Sequence, residues 1–161
     1  MNETTSPRSS SAFSPVGGAW AAVLLAGSAA ASWWLVRTPP EEEARAGGFA
    51  LGEADYAVEP LPLPGWAEAV IGPLGLVLAL VAAVLLVRAV AGGRMRPVWG
   101  LAVGCLVPIA LMAGAWWAIA TAPVIGANIG AGLAQLVFVP ASLLCLAAAL
   151  GCAVAGRRRR N

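Results

Sequence analysis

The sequence contains no histidine and no lysine. Without histidine, it lacks the commonest general base, the commonest transition-metal ligand and the usual axial ligand of haem in membrane bundles. Charged residues are also scarce, at 11% of the chain with 60% hydrophobic residues, whereas soluble domains contain about 25% charged residues. The composition therefore indicates a protein whose main solvent is lipid. All ten basic residues are arginine, which together with abundant alanine, glycine and valine suggests a bacterium with a GC-rich genome.

Cysteine is the remaining candidate for thiol chemistry. Cys105, Cys145 and Cys152 all lie in apolar stretches and form no CxxC or CxxCH pattern, so we interpret them as small apolar side chains. The same apolar stretches contain no carboxylate that would serve as a base or a metal ligand. We therefore expect no enzymatic activity, no cofactor and no bound metal.

Four long stretches of the chain contain no charged residue. A hydrocarbon core of about 30 Å requires about 20 helical residues to cross it, and these stretches reach or approach that length. The predicted spans are residues 17–36, about 70–87, 98–120 and about 129–155. Residues 16–156 are thus predicted to form an all-α, four-transmembrane-helix bundle.

The charged residues are divided between the two sides of this bundle. Of the arginines, those on one side are Arg8, Arg88, Arg94, Arg96 and Arg157 to Arg160. The opposite side receives the loop of residues 37–69, which is strongly acidic. Arginine in short flanking segments marks the cytoplasmic side. We therefore predict that both termini are cytoplasmic, that loop 37–69 is extracytoplasmic, and that the protein lies in the bacterial cell (cytoplasmic) membrane.

The first span has a second interpretation, as a cleaved signal peptide, because small residues at 28–32 follow an alanine-rich core. The apolar run continues through Trp33, Trp34, Leu35 and Val36, however, so a retained anchor is favoured. The tryptophans agree with the span boundaries, since indoles concentrate at membrane interfaces. Trp20 and Trp99 mark inner ends, and an outer group consists of Trp33, Trp34, Trp66, Trp116 and Trp117.

The segments outside the spans are short. Residues 1–15 are rich in serine, threonine and proline and are predicted to form a disordered cytoplasmic tail. In loop 37–69, the Pro60, Pro62 and Pro64 run favours an extended polyproline II conformation, and residues 47–58 are expected to form a short hairpin. The basic tail, residues 157–161, fixes topology and contacts anionic lipid through Arg157 to Arg160. We expect no nucleic-acid binding.

The fourth span carries two residue patterns that bear on function. Asn128, Gln135 and Ser142 recur every seven residues and so share one helix face. Beside them lies a small-residue pattern of Gly126, Gly130 and Ala134, which allows another helix to approach closely. The polar face is interpreted either as the lining of a pathway or as a helix-contact face held by hydrogen bonds. The helix-contact interpretation is favoured.

Two features suggest internal organisation within the bundle. Pro108 and Pro140 lie mid-span and are predicted helix kinks, although interrupted helices also form substrate sites in transporters. The tryptophan pairs at 33–34 and 116–117 each precede a proline, which suggests two tandem helical hairpins. Selection of tryptophan and proline at interfaces explains the same pattern.

The leading functional hypothesis is a non-enzymatic accessory or scaffold subunit, whose small-residue faces pack within itself, against a membrane-protein partner or in a homo-oligomer. The first span supports it, because a surface of alanine, glycine and serine gains more from helix contact than from lipid. The alternative is a passive channel or transporter subunit lined by the polar face of the fourth helix. A third hypothesis is a sensor whose acidic loop binds a cation or a peptide.

Overall fold

The computed structural model describes residues 15–124 and 126–158. Its helices are α1 (Pro15–Val36), α2 (Pro40–Gly47), α3 (Gly65–Ala91), α4 (Pro97–Ala120) and α5 (Ala127–Arg158), with a 3₁₀ turn at Leu51–Glu53. Four of them, α1, α3, α4 and α5, are long and apolar enough to cross a membrane. The prediction of an all-helical protein with four spans is confirmed. The predicted disordered tail falls almost entirely on residues 1–14, and Arg159 and Arg160 of the basic tail also lie outside the described residues.

Proline sets several of the helix boundaries. Pro40 and Pro97 occupy the first turn of α2 and α4, where a missing N–H costs nothing. Pro64 precedes α3 with φ −65° and ψ 142°, the polyproline II geometry expected for this segment. The third helix therefore begins five residues before the predicted span and continues through Pro73, because an interior proline is tolerated in a membrane helix.

The four spanning helices form a row in the order α3, α1, α4, α5. The central helix α1 packs against both α3 and α4, and within the described residues α5 contacts no other helix than α4. Each hairpin, α1 with α3 and α4 with α5, is closely packed, and the α1–α4 contact joins the two. This arrangement agrees with two tandem hairpins, and it makes the bundle an open row.

The row has two distinct ends. The loop end carries residues 37–69, with the last turns of α1 and α4 and the first turns of α3 and α5. The arginine end carries Arg88, Arg94, Arg96 and Arg157. At the arginine end, Trp20 and Trp99 pack against a core formed by Ala21, Leu24, Ala79, Ala82, Leu86, Met95 and Val103. Arg96 also donates a hydrogen bond to the carbonyl oxygen of Gly156 at 2.9 Å, which ties the start of α4 to the end of α5.

Small residues let α1 approach both of its neighbours. A Cβ atom added to Gly27 would lie 2.6 Å from the carbonyl oxygen of Gly75 in α3, and one added to Gly114 in α4 would overlap the carbonyl of Ala29. Ser32 donates a hydrogen bond to the carbonyl oxygen of Leu111 at 2.7 Å. The backbones therefore touch on both sides of α1, as the alanine, glycine and serine content of the first span predicts.

The hairpin expected over residues 47–58 is wrong, because the described part of the chain contains no strand. Instead, α2 ends at Gly47, and Gly48 adopts a left-handed conformation with φ 70° that closes the helix onto the carbonyl of Ala44. A 3₁₀ turn follows, and an extended segment of residues 54–64 then leads to α3. The backbone N–H of Val58 donates to the carbonyl oxygen of Ala120 at 2.9 Å, so the loop is attached to the end of α4.

Candidate functional site

Helix α5 is the edge of the row and presents most of its surface outward. In the most apolar 18-residue stretch of α5, 6% of the residues are buried in the protein, whereas 28% are buried in the corresponding stretch of α3. Leu136 and Leu144 are each 73% exposed, as expected for side chains that face lipid. A polar side chain on this surface has no water to bond with in the hydrocarbon region, so it requires a protein partner.

The predicted polar face of α5 is divided in the structure. Gln135 is exposed and Ser142 is half-buried, and both line a groove of about 600 Å³ between α4 and α5. Asn128 is also exposed, but it lies at the first turn of α5 and does not line the groove. The structure therefore brings together two of the three residues and separates the third.

The groove is also lined by an aromatic side chain of α4, which a pattern within α5 does not reveal. Trp116 lines the same groove as Gln135 and Ser142, and the indole Nε1 of Trp116 is buried without a hydrogen-bond partner in the described residues. A buried N–H without an acceptor costs about 1–3 kcal/mol. The remaining lining is apolar, with Met112 and Phe138 among its side chains. The groove thus combines an apolar surface with two side chains able to form hydrogen bonds, Gln135 and Ser142, whereas the Trp116 N–H lies below the surface.

The predicted close-packing residues of α5 lie around its first two turns. Gly126 has φ 79° and forms the turn before the helix. Gly130 is exposed, with Ile119 of α4 3.7 Å from the position of an added Cβ, and Ala134 is half-buried. The most buried residues here are instead Ala127 and Ala131, at 1% and 6% exposure. Alanine is so frequent in this sequence that its spacing alone does not distinguish this face.

The predicted kinks, Pro108 and Pro140, both lie within continuous helices and are exposed. A proline leaves the carbonyl four residues earlier without its helical donor. Those carbonyls belong to Gly104 and Leu136, which are also exposed. The two prolines therefore lie on the outer surface of the described bundle, apart from any shared enclosed site.

A second site, which the sequence did not predict, lies at the loop end. A cavity of about 270 Å³ is bounded by all four spanning helices, by α2 and by the extended segment at Pro60 and Leu61. Arg37 at the end of α1 forms an ion pair with Glu68 of α3, with 2.6 Å between Nη1 and Oε2. The Arg37 guanidinium also lies over the ring of Trp33, 4.6 Å from its centroid, a cation–π contact.

The charged side chains that line the cavity carry a net negative charge. Its charged lining residues are Arg37, Glu43 and Glu68, and Arg37 is already paired with Glu68. Glu43 is half-buried, and the described residues provide its carboxylate with neither a hydrogen bond nor an ion pair. In sequence, Glu43 is indistinguishable from Glu41 and Glu42, and only the fold of α2 turns it towards the cavity.

The other side chains that could bind a metal or react are dispersed. Within residues 15–124 and 126–158, no group of three or more His, Cys, Asp or Glu side chains is placed to hold a metal ion. The three cysteines are half-buried and unpaired in disulfides. No protein-family model matches the chain, and neither a curated protein nor a solved structure shows significant similarity to it.

Proposed function

We propose that this membrane protein is a non-enzymatic accessory or scaffold subunit of a bacterial cytoplasmic membrane complex, which binds a transmembrane helix of a partner protein in the groove between α4 and α5. One observation carries the proposal: within the described residues α5 packs on α4 alone, and the exposed groove beside it contains the Gln135 amide and the Ser142 hydroxyl. A partner helix with a polar side chain satisfies these groups and covers the apolar surface around them.

The alternative, a passive channel or transporter subunit, is less well supported by this geometry. A pathway lined by Gln135 and Ser142 needs surrounding helices, and α5 has a neighbour on only one side in the described chain. Such a pathway would therefore have to form between several copies. Solute flux through liposomes containing the purified protein, abolished by Gln135→Leu with Ser142→Ala, would favour this alternative over the scaffold.

Site-specific photocrosslinking in cells tests the scaffold proposal. A photoreactive residue at Val139, which lines the groove, is expected to give a discrete crosslinked protein. The matched control is Val77, which is similarly exposed on α3 at the other end of the row and is expected to react with lipid only. Equal products from both positions, or none from Val139, would contradict the proposal. A product with the mass of two copies of this chain would identify the partner as a second copy.

The contribution of the amide is tested by Gln135→Leu. An interhelical hydrogen bond in a membrane is worth about 0.6 kcal/mol on average and at most about 1.7 kcal/mol, so we expect the Val139 crosslink to fall about threefold or more. Asn128→Leu makes the same chemical change at the first turn of α5, outside the groove, and should leave the crosslink unchanged. A crosslink that survives Gln135→Leu at full yield would show that the groove binds by shape alone.

The sidedness that we propose, with both termini cytoplasmic, predicts a labelling pattern. In a variant whose native cysteines are replaced, Gly92→Cys in the turn after α3 should react with a membrane-impermeant maleimide only after the cells are permeabilised. Gly52→Cys in the loop of residues 37–69 should react in intact cells. Both positions are exposed, so access to the reagent depends on the side of the membrane. Labelling of position 92 in intact cells would reverse the proposed orientation.

A further inference from the structure

The cavity at the loop end lies at the depth of the lipid headgroups. Arg37 is the first charged residue after the apolar run of α1, and Glu68 is the last one before the apolar run of α3. Two indoles, Trp33 and Trp117, are part of its lining, and tryptophan concentrates at the headgroup level. With a volume of about 270 Å³, the cavity is below the range of about 300–1,000 Å³ that is usual for drug-sized ligands. A small polar group suits it better.

The arginine in this cavity retains capacity for an anionic ligand. The hydrogen bonds of the Arg37 guanidinium go to Glu68, from Nη1 to the carboxylate at 2.6 Å and from Nη2 to the backbone carbonyl at 3.5 Å. A guanidinium has five N–H donors in a planar fork, and this geometry matches phosphate as well as carboxylate. The ion pair thus holds Arg37 in place while several of its donors stay free for a second acceptor.

The carboxylate of Glu43 favours a second group on the ligand, one with a positive charge. Because Arg37 is paired with Glu68, the charge on Glu43 is left uncompensated by the described residues, and the cavity favours a ligand that brings a positive charge. An ammonium group supplies both the charge and N–H donors. A ligand with a phosphate for Arg37 and an ammonium for Glu43 complements both of these lining residues.

We propose that this cavity binds the headgroup of a zwitterionic phospholipid with a primary amine, of the phosphoethanolamine type. The phosphate accepts hydrogen bonds from Arg37, and the ammonium donates to Glu43. The apolar part of the lining, which includes Leu61 and Ile119, contacts the start of the lipid chains. A choline headgroup has no N–H to donate and a glycerol headgroup has no cation, so both should bind less well.

Native mass spectrometry of the delipidated full-length protein in mild detergent tests this proposal. We expect the ethanolamine phospholipid to bind at least fivefold more tightly than choline or glycerol phospholipids with the same acyl chains. Glu43→Gln should remove most of this preference. Glu42→Gln is the matched control, because it makes the same change on an exposed neighbour in α2 that does not line the cavity, and it should keep the preference.

Competition in the same assay distinguishes binding of the lipid from binding of a soluble molecule with the same headgroup. Free phosphoethanolamine should fail to compete at the concentrations at which the lipid saturates the site, and competition there would overturn the assignment to a lipid. Equal affinity for the three phospholipids, or equal losses in Glu43→Gln and Glu42→Gln, would overturn the site itself. The unchanged far-ultraviolet circular dichroism of both variants is the check on folding. The Val139 crosslink is independent of this cavity, so either proposal can fail alone.

Discussion

Replacement of Gly114 by alanine should destabilise the protein, whereas the same replacement of Gly104 on the same helix should not. An added Cβ at Gly114 overlaps the backbone carbonyl of Ala29 in α1 and lies 3.0 Å from the backbone nitrogen of Trp33. A Cβ at Gly104 meets no atom within 4 Å. Over-packing costs about 1–3 kcal/mol, and we expect the upper end of this range because the obstacle is backbone that no side-chain rotation moves away.

Unfolding in mixed micelles with increasing sodium dodecyl sulfate, followed by circular dichroism, measures this difference. Gly114→Ala is expected to unfold at a clearly lower detergent fraction than the wild type, and Gly104→Ala at the same fraction. If both variants unfold with the wild type, α1 and α4 are not in backbone contact, and the order of helices in the row is wrong.

The number and limits of the spans could be predicted from sequence because they depend on properties local to the chain. Lipid excludes charge, so uncharged runs of sufficient length mark helices, and prolines at 40, 64 and 97 mark where helices begin. The order in which the helices pack against one another cannot be predicted in this way. In lipid, an apolar side chain gains nothing by turning inward, so the span of α3 is apolar on every face, and the polar stripe of α5 does not indicate which helix it packs against.

The residues of the two candidate sites could likewise be predicted only in part from the sequence. Periodicity placed Gln135 and Ser142 on one face, but it also included Asn128, and it gave no sign that Trp116 of α4 lies in the same groove. Arg37 and Glu68 are 31 residues apart in sequence and meet only because α1 and α3 are antiparallel neighbours. The fold of the acidic loop directs Glu43 into a cavity beside that ion pair, and the run of three glutamates does not indicate this. Contacts of this kind can be predicted only when the packing order of the helices is known, and the sequence does not show that order.

The contact of α1 with α3 at the loop end predicts a strong coupling between Gly72 and Trp34. A Cβ added to Gly72 overlaps the Cβ and Cγ atoms of Trp34, and these atoms are at the base of the side chain, where rotation about χ2 does not move them. Gly72→Ala alone is therefore expected to cost about 1–3 kcal/mol. In a Trp34→Gly background both of these atoms are absent, so the same replacement should cost close to nothing.

A double-mutant cycle measures this coupling, using the same unfolding assay on the wild type, both single variants and the double variant. Residues in contact show interaction energies of about 0.5–3 kcal/mol, and here the double variant should be more stable than the sum of the single effects implies. Gly132→Ala on α5, where an added Cβ meets no atom within 4 Å, should have the same effect in both backgrounds. Additive effects of Gly72→Ala and Trp34→Gly would mean that the side chain of Trp34 does not contact the backbone of α3. In that case, Arg37, one turn beyond Trp33, would lose the packed helix ends that hold it against Glu68.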